Sequence, residues 1–123
     1  MPWIVRFEDE FEREFVALDV AVQDELIAGA RLLQQYGPRL GRPHVDTLKG
    51  ARHANLKELR FDAGGGVWRV AFAFDPNRHA ILLVAGDKSG VAQDRFYKRL
   101  IAQADRRYAA HLQRLKAAAA KGR

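Results

Sequence analysis

Two neighbouring stretches carry the side chains best suited to chemistry. Leu56-Lys57-Glu58-Leu59-Arg60-Phe61 and Val67-Trp68-Arg69-Val70-Ala71-Phe72-Ala73-Phe74 both alternate in the period-two pattern of a strand. In the second, Trp68, Val70, Phe72 and Phe74 share one face, and Arg69, Ala71 and Ala73 share the other. For Leu59 and Phe61 to join the apolar face, Phe61 must pair with Trp68 and Leu59 with Val70, because a one-residue slip inverts every side chain. Arg60 is then expected directly opposite Arg69, with Glu58 on the diagonal. Like charges facing across a ladder repel, so a fold seeking only stability is expected to avoid the pairing. Glu58 linking both arginines in an exposed ion network is the plainer alternative to a ligand site. Ala71 and Ala73 leave an expected shallow surface where a ligand can approach. Pairing of Asp75 with His79 would add Ile81, Leu83, Ala85 and Asp87 to this face, bordering the charges with apolar ground suited to a base, a helix or a partner peptide. It would turn Lys88 away unless the chain bends after Gly86.

The elements that hold these residues follow from pattern and punctuation. Trp3 to Phe7 reads as a first strand. Asp9 is the expected cap of a short helix, with Glu12 completing a capping box and Phe11, Phe15 and Leu18 on one face. Asp19 begins a longer helix with Val22, Leu26, Leu33 and Tyr36 in its stripe, stopped by Gly37-Pro38, so the two form an αα-hairpin. Residues 38–54 read as an irregular loop, long enough to be functional or to hide a further turn. Strands at Leu56–Phe61, Val67–Asp75 and His79–Ala85 form an antiparallel meander, turning at Ala63-Gly64-Gly65-Gly66 and Pro76-Asn77-Arg78. A last helix runs from Val91 to about Lys116, with Phe96, Leu100, Ala104, Tyr108, Leu112 and Leu115 inward and Arg95, Lys98, Arg99 and Arg106 outward. The expected organisation is one α+β domain over residues 1–116, in which the first strand and αα-hairpin pack on the meander, followed by a frayed basic tail at 117–123.

Composition narrows the class. The 123 residues are 48% apolar and 29% charged, contain no cysteine and carry a formal charge of +6, as a soluble globular domain does. Disulfide, thiolate-zinc and CxxC chemistry are excluded, and a reducing cytoplasm is the expected compartment. The start turns acidic at once, unlike a signal peptide. Residues 1–36 hold 3 basic and 8 acidic side chains, whereas residues 37–123 hold 18 basic and 7 acidic. That asymmetry suggests a polyanion met by one region only, against the plainer reading of a mixed, soluble surface.

Other candidates are weaker. His44, His53, His79 and His111 are scattered, and His44-x-Asp46 is too sparse for a metal site. His53 alone precedes the charged strand closely enough to serve as an acid or base. Gly64-Gly65-Gly66 opens no helix and reads as a turn rather than a phosphate loop.

Taken in order, these features resemble a known family. Strand, helical hairpin, loop with Leu48-Lys49-Gly50, meander and final helix resemble the bacterial RelE/HigB toxins of type II toxin–antitoxin systems, and more narrowly their phage-derived Gp49-like branch. The words that carry the resemblance are Leu56-Lys57-Glu58-Leu59-Arg60, Trp68-Arg69-Val70-Ala71-Phe72, Ile81 to Gly90, and Phe96-Tyr97-Lys98-Arg99-Leu100-Ile101. The resemblance implies a RelE-like fold similar to microbial ribonucleases. It also implies metal-independent, cofactor-free cleavage of mRNA, usually on the ribosome, by attack of a 2′-hydroxyl on the adjacent phosphate. Preorganised cations suit that chemistry because the developing charge is anionic. By position, Arg69 becomes the phosphate clamp and Arg60 its support. Lys88 matches the basic residue after the last strand, and Lys57 lies near basic residues that many relatives carry. Tyr97 corresponds to an aromatic residue of the final helix that stacks on a base or assists proton transfer. Where the RelE branch proper has paired lysines, this chain has Lys57 and then Glu58, and the adjacent arginines give Glu58 an orienting role rather than that of a base. Lys49, Arg52, His53, Arg95, Lys98 and Arg99 complete the expected RNA contacts. The partners implied are mRNA, the ribosome and a cognate antitoxin of helix-turn-helix type in a hetero-oligomer. A noncatalytic module gripping RNA, DNA or an acidic protein with the same surface is the rival reading, and a ribonuclease active without ribosomes is a third.

Overall fold

The structure is a computed structural model that describes residues 2–122, so Met1 and Arg123, the last residue of the expected tail, lie outside it. In chain order the elements are β1 (Ile4–Phe7), α1 (Asp9–Phe15), α2 (Val20–Tyr36), a 3-10 turn (Gly37–Arg39), β2 (Val45–Thr47), β3 (Leu56–Ala63), β4 (Gly66–Phe74), β5 (His79–Asp87) and α3 (Gln93–Lys121). The strands form one sheet in the order β1-β5-β4-β3-β2. The meander β3-β4-β5 is its centre, but the sheet is mixed, because β1 runs parallel to β5.

Helices cover both faces. Phe11 of α1 and Leu26 and Leu33 of α2 pack on Leu59, Val70, Phe72, Ala80 and Leu82. On the other face Phe96, Leu100, Ala104 and Tyr108 of α3 pack on Leu56, Ala71, Ala73, Ile81 and Leu83. The expected shallow surface at Ala71 and Ala73 is therefore not open: both are fully buried. Their small side chains make room for a helix, not for a ligand.

Several local readings are corrected. The cap of α1 is Glu8 rather than Asp9: its backbone is extended, and its Oε1 accepts the N–H groups of Glu10 and Phe11 at 2.9 and 3.1 Å. Asp19 stands at the N-cap of α2 but makes no side-chain capping bond. Gly37 ends α2 with φ 56°, and a Cβ there would strike the Trp3 indole, so glycine is required twice over. The loop at 38–54 contains the 3-10 turn and β2, which pairs antiparallel with β3 and is too short to show a period. α3 runs past the expected end at Lys116 through Lys121, since Ala117 to Ala120 are strong helix formers with no breaker before Gly122.

The β3–β4 register is the expected one, with Phe61 opposite Trp68, Leu59 opposite Val70 and Arg60 opposite Arg69. Gly64 and Gly65, at φ 57° and 79°, close this hairpin in the two-residue form that needs positive φ at both positions. β5 departs from strict alternation. A bulge opposite Ala71/Phe72 inserts Leu83, so that Val84 pairs with Ala71, Gly86 with Arg69 and Asp87 with Trp68. A bulge sets two residues against one and reverses the faces beyond it. Asp87 thus leaves the Arg69 face, contrary to expectation, and caps the end of the sheet by accepting the N–H groups of Val67 and Ser89.

The acidic and basic parts of the chain neutralise each other where they meet. Arg107 of α3 is buried; it donates to both Glu14 carboxylate oxygens and to the Leu83 carbonyl at the bulge, at 2.6–2.8 Å. Arg106 pairs with Glu10, and Arg114 with Asp9 and Glu8. No helix among the described residues is long and apolar enough to cross a membrane.

Candidate active site

The cross-strand arginines do not face each other unscreened. β3 alternation turns Glu58 and Arg60 toward α3, and the Glu58 carboxylate lies 3.9 Å from Arg60 Nε and 3.8 Å from Arg69 Nε. Above it α3 supplies Tyr97, whose hydroxyl donates to Glu58 Oε1 at 2.8 Å. Arg69 Nε reaches the same phenolic oxygen at 3.4 Å, and its Nη1 donates to the Trp68 carbonyl at 2.9 Å. Glu58 and Arg69 are each only 5% exposed. Burial, and then the bond to Glu58, push the Tyr97 phenol above its ordinary value, so it is neutral at physiological pH.

The height of α3 over the sheet is set by a glycine. Gly86 sits under Phe96, and a Cβ there would lie 2.9 Å from its ring. This close approach seats the first turn of α3 and, one residue on, Tyr97.

On β2, Asp46 faces Glu58 across the ladder and extends the network outward. It accepts from Arg42 at 2.9 Å and lies 3.8 Å from Arg60. The Thr47 N–H and then Arg42 hold its carboxyl below the usual range. Arg42, Lys49, Arg60 and Lys88 surround a cleft of about 450 Å³ whose floor includes Glu58, Tyr97, Leu48 and Ile101. Four cations around two carboxylates give a cleft fitted to an anion, with a neutral phenol at its base.

Of the residues singled out from the sequence, Glu58, Arg60, Tyr97, Lys49 and Lys88 thus line one cleft. Lys88 arrives because the bulge in β5 reverses the strand's faces, not because the chain bends after Gly86. Arg69 lies behind, on the rim of a smaller hollow with Pro43, Arg60, Phe61 and Asp62. Lys57 is opposite Phe72 and so belongs to the other face of the sheet. Arg52 and His53 line a separate hollow with Asp105, and Arg99 borders another beside Gly86 and Phe96. Arg95 and Lys98 are exposed on α3. Asp46, Arg42 and Gln93 belong to the cleft and were not foreseen. Only a recognised β2 strand would have brought Asp46 beside Glu58.

The sequence and the fold have counterparts among known proteins. Residues 13–109 match the family described as Phage derived protein Gp49-like (DUF891). Two relatives from Mycobacterium tuberculosis, named "Putative toxin HigB2" and "Putative toxin HigB3", are each 44% identical, over 77% and 80% of this chain. The matched part is 47% of the first relative, so the chain spans about half its length, and 83% of the second. Among solved structures, a double mutant of the E. coli toxin RelE in the free state superposes with a TM-score of 0.58 at 13% identity, covering 83% of this chain and 96% of that one. The archaeal RelE-RelB complex from Pyrococcus horikoshii gives 0.53 at 18% identity, covering 74% and 100%. Such low identity speaks for the fold alone, while the family match and the closer relatives speak for descent. The chain belongs to the phage-derived Gp49-like family and is built on the RelE-like fold.

Proposed function

We propose that this protein is the toxin of a toxin–antitoxin module and acts as an endoribonuclease on mRNA engaged by the ribosome. The observation that carries the reading is the cleft in which Arg60, Lys49 and Lys88 surround the Tyr97–Glu58 hydrogen bond. The cations hold the scissile phosphate and its developing charge. Tyr97 Oη accepts the proton of the ribose 2′-hydroxyl as its own proton passes to Glu58 Oε1, so Glu58, expected from the sequence only to orient, here serves as the terminal base. The 2′-oxygen bonds to phosphorus, the bond to the 5′-oxygen breaks, and solvent protonates the leaving oxygen. A cyclic phosphate and a 5′-hydroxyl end result. Arg69 acts from behind, as the positioning residue for Glu58 and Tyr97 rather than as the clamp itself. The names of the relatives support the toxin role, and the RelE-RelB complex supports a protein antitoxin as partner.

Induced expression in growing cells tests the reading. Tyr97→Phe and Glu58→Gln are expected to relieve growth arrest while the chain stays folded, and arrest by a folded Glu58→Gln variant contradicts the relay. One observation favours the noncatalytic rival: Glu58 and Arg69 are buried and mutually paired, as in a purely structural ion cluster. That rival predicts RNA binding without new RNA ends.

A further inference from the structure

One carboxylate ties the loop after β2 to α3. Asp105 Oδ2 accepts the Arg52 N–H at 2.8 Å; Oδ1 accepts the His53 N–H at 3.0 Å and lies 2.9 Å from His53 Nδ1. Burial pushes the Asp105 carboxyl up, but the two N–H groups and the imidazole outweigh it and hold it below the usual range. An ionised carboxylate only accepts, so Nδ1 carries the hydrogen in this contact. In the neutral ring Nε2 is then an acceptor with a fixed direction. The ring stands edge-on to Tyr108, with centroids 5.0 Å apart, which fixes its plane. Nε2 has no hydrogen-bond partner among the described residues.

A hollow of about 440 Å³ lies against this ring, lined by Arg52, His53, Ala102, Asp105, Arg106 and Ala109. Ala102 and Ala109 keep its floor low. Arg52 is exposed, and Arg106, 59% exposed, spends Nη1 on Glu10 at 3.1 Å and keeps its other donors. Asp105 follows Tyr97 by two turns of α3, about 12 Å along the axis. A strand seated in the cleft can therefore continue into the hollow.

We propose that this hollow is a ribonucleotide subsite, in which His53 Nε2 accepts a hydrogen bond from a ribose 2′-hydroxyl while Arg52 and Arg106 take a neighbouring phosphate. It rests on the reading of the cleft as an RNA site and extends the strand's path beyond it. The 2′-hydroxyl is the donor that separates RNA from DNA. A general anion patch needs only the arginines, and so does an acidic peptide. An imidazole whose neutral tautomer is set by a half-buried carboxylate, leaving Nε2 as the acceptor, fits a ligand that brings a hydroxyl donor.

Fluorescence anisotropy of the full chain with a short single-stranded RNA and a DNA of the same sequence tests this, with RNA integrity checked on a gel. His53→Ala is expected to weaken RNA binding about three- to tenfold, the worth of one hydrogen bond, and to leave DNA binding unchanged. Arg52→Ala is expected to weaken both alike and to lower the salt slope by about one. Loss of both affinities in His53→Ala, or of neither, overturns the subsite. Because His53 also packs on Tyr108, nitrogen NMR of the imidazole in the unsubstituted chain gives a second readout. RNA should move the Nε2 resonance and DNA should not; an acidic peptide that binds with the same Arg52 dependence while Nε2 ignores RNA also overturns it. A His53-dependent preference for RNA in a chain that creates no new 5′ ends on translated mRNA leaves the subsite standing and contradicts the ribonuclease, and new ends without that preference do the reverse.

Discussion

Arg60 and Arg69 stand directly opposite each other on β3 and β4, and the Glu58 carboxylate lies within 4 Å of both guanidinium groups. The two arginines are not equivalent. Arg69 is enclosed under α3, with donors committed to Tyr97 and the Trp68 carbonyl. The Arg60 side chain is 33% exposed and faces the cleft. A repulsive pairing is thus resolved by a shared carboxylate, which makes one arginine part of the framework and presents the other.

This inequality predicts different costs. Arg69→Ala leaves Glu58 buried with Tyr97 and only the partly solvated Arg60 beside it, and is expected to destabilise the fold by about 3 kcal/mol, the lower range for breaking a buried pair. Arg60→Ala removes a partly solvated partner and is expected to cost less than about 1 kcal/mol. Urea denaturation of the two variants measures both, and equal losses would contradict the assignment.

Tyr97 sets an alkaline limit. Its phenol titrates above the ordinary 10.0 in the folded chain, through burial and then the bond to Glu58, while the unfolded chain titrates near the ordinary value. The folded state therefore holds its proton longer, and this contribution is present below pH 10 and lost as pH rises through the folded value. Stability of the parent chain should fall from about pH 10 up to the folded value, and Tyr97→Phe should flatten the fall. Denaturation midpoints across the alkaline range, with tyrosinate absorbance to follow ionisation, check this. Tyr108, raised chiefly by burial, accounts for the slope that remains.

The docking of α1 on α3 depends on Glu14 more than on Glu10. Glu14→Ala strips the bidentate partner, itself 48% exposed, from the buried Arg107, which keeps the Leu83 carbonyl, and should cost about 2 kcal/mol. Glu10→Ala touches mainly the exposed Arg106 and should change stability by less than about 1 kcal/mol. Thermal denaturation of the two variants orders them.

What could be read from the residues followed from local periodicity. Alternation fixed Arg60 opposite Arg69 because only one register buries Leu59 and Phe61 with Trp68 and Val70. It failed at Leu83, where a bulge reversed the faces beyond it, expelled Asp87 from the Arg69 side and brought Lys88 to the cleft. Bulges leave no mark on an unbroken apolar run such as Ile81 to Ala85. The three residues of β2 carry no period, so Asp46 was not placed beside Glu58. Ala71 and Ala73 suggested an open surface because period-two reasoning says nothing about which helix crosses a face. The same crossing delivered Tyr97 onto Glu58, a meeting of residues 39 positions apart.

The most direct test of the account is mapping of 5′ ends on translated mRNA after induction of the chain. The unsubstituted protein is expected to create new ends within open reading frames that vanish with Arg60→Ala, a variant expected to stay folded. No new ends from the unsubstituted chain, or the same ends from a folded Arg60→Ala variant, would contradict it.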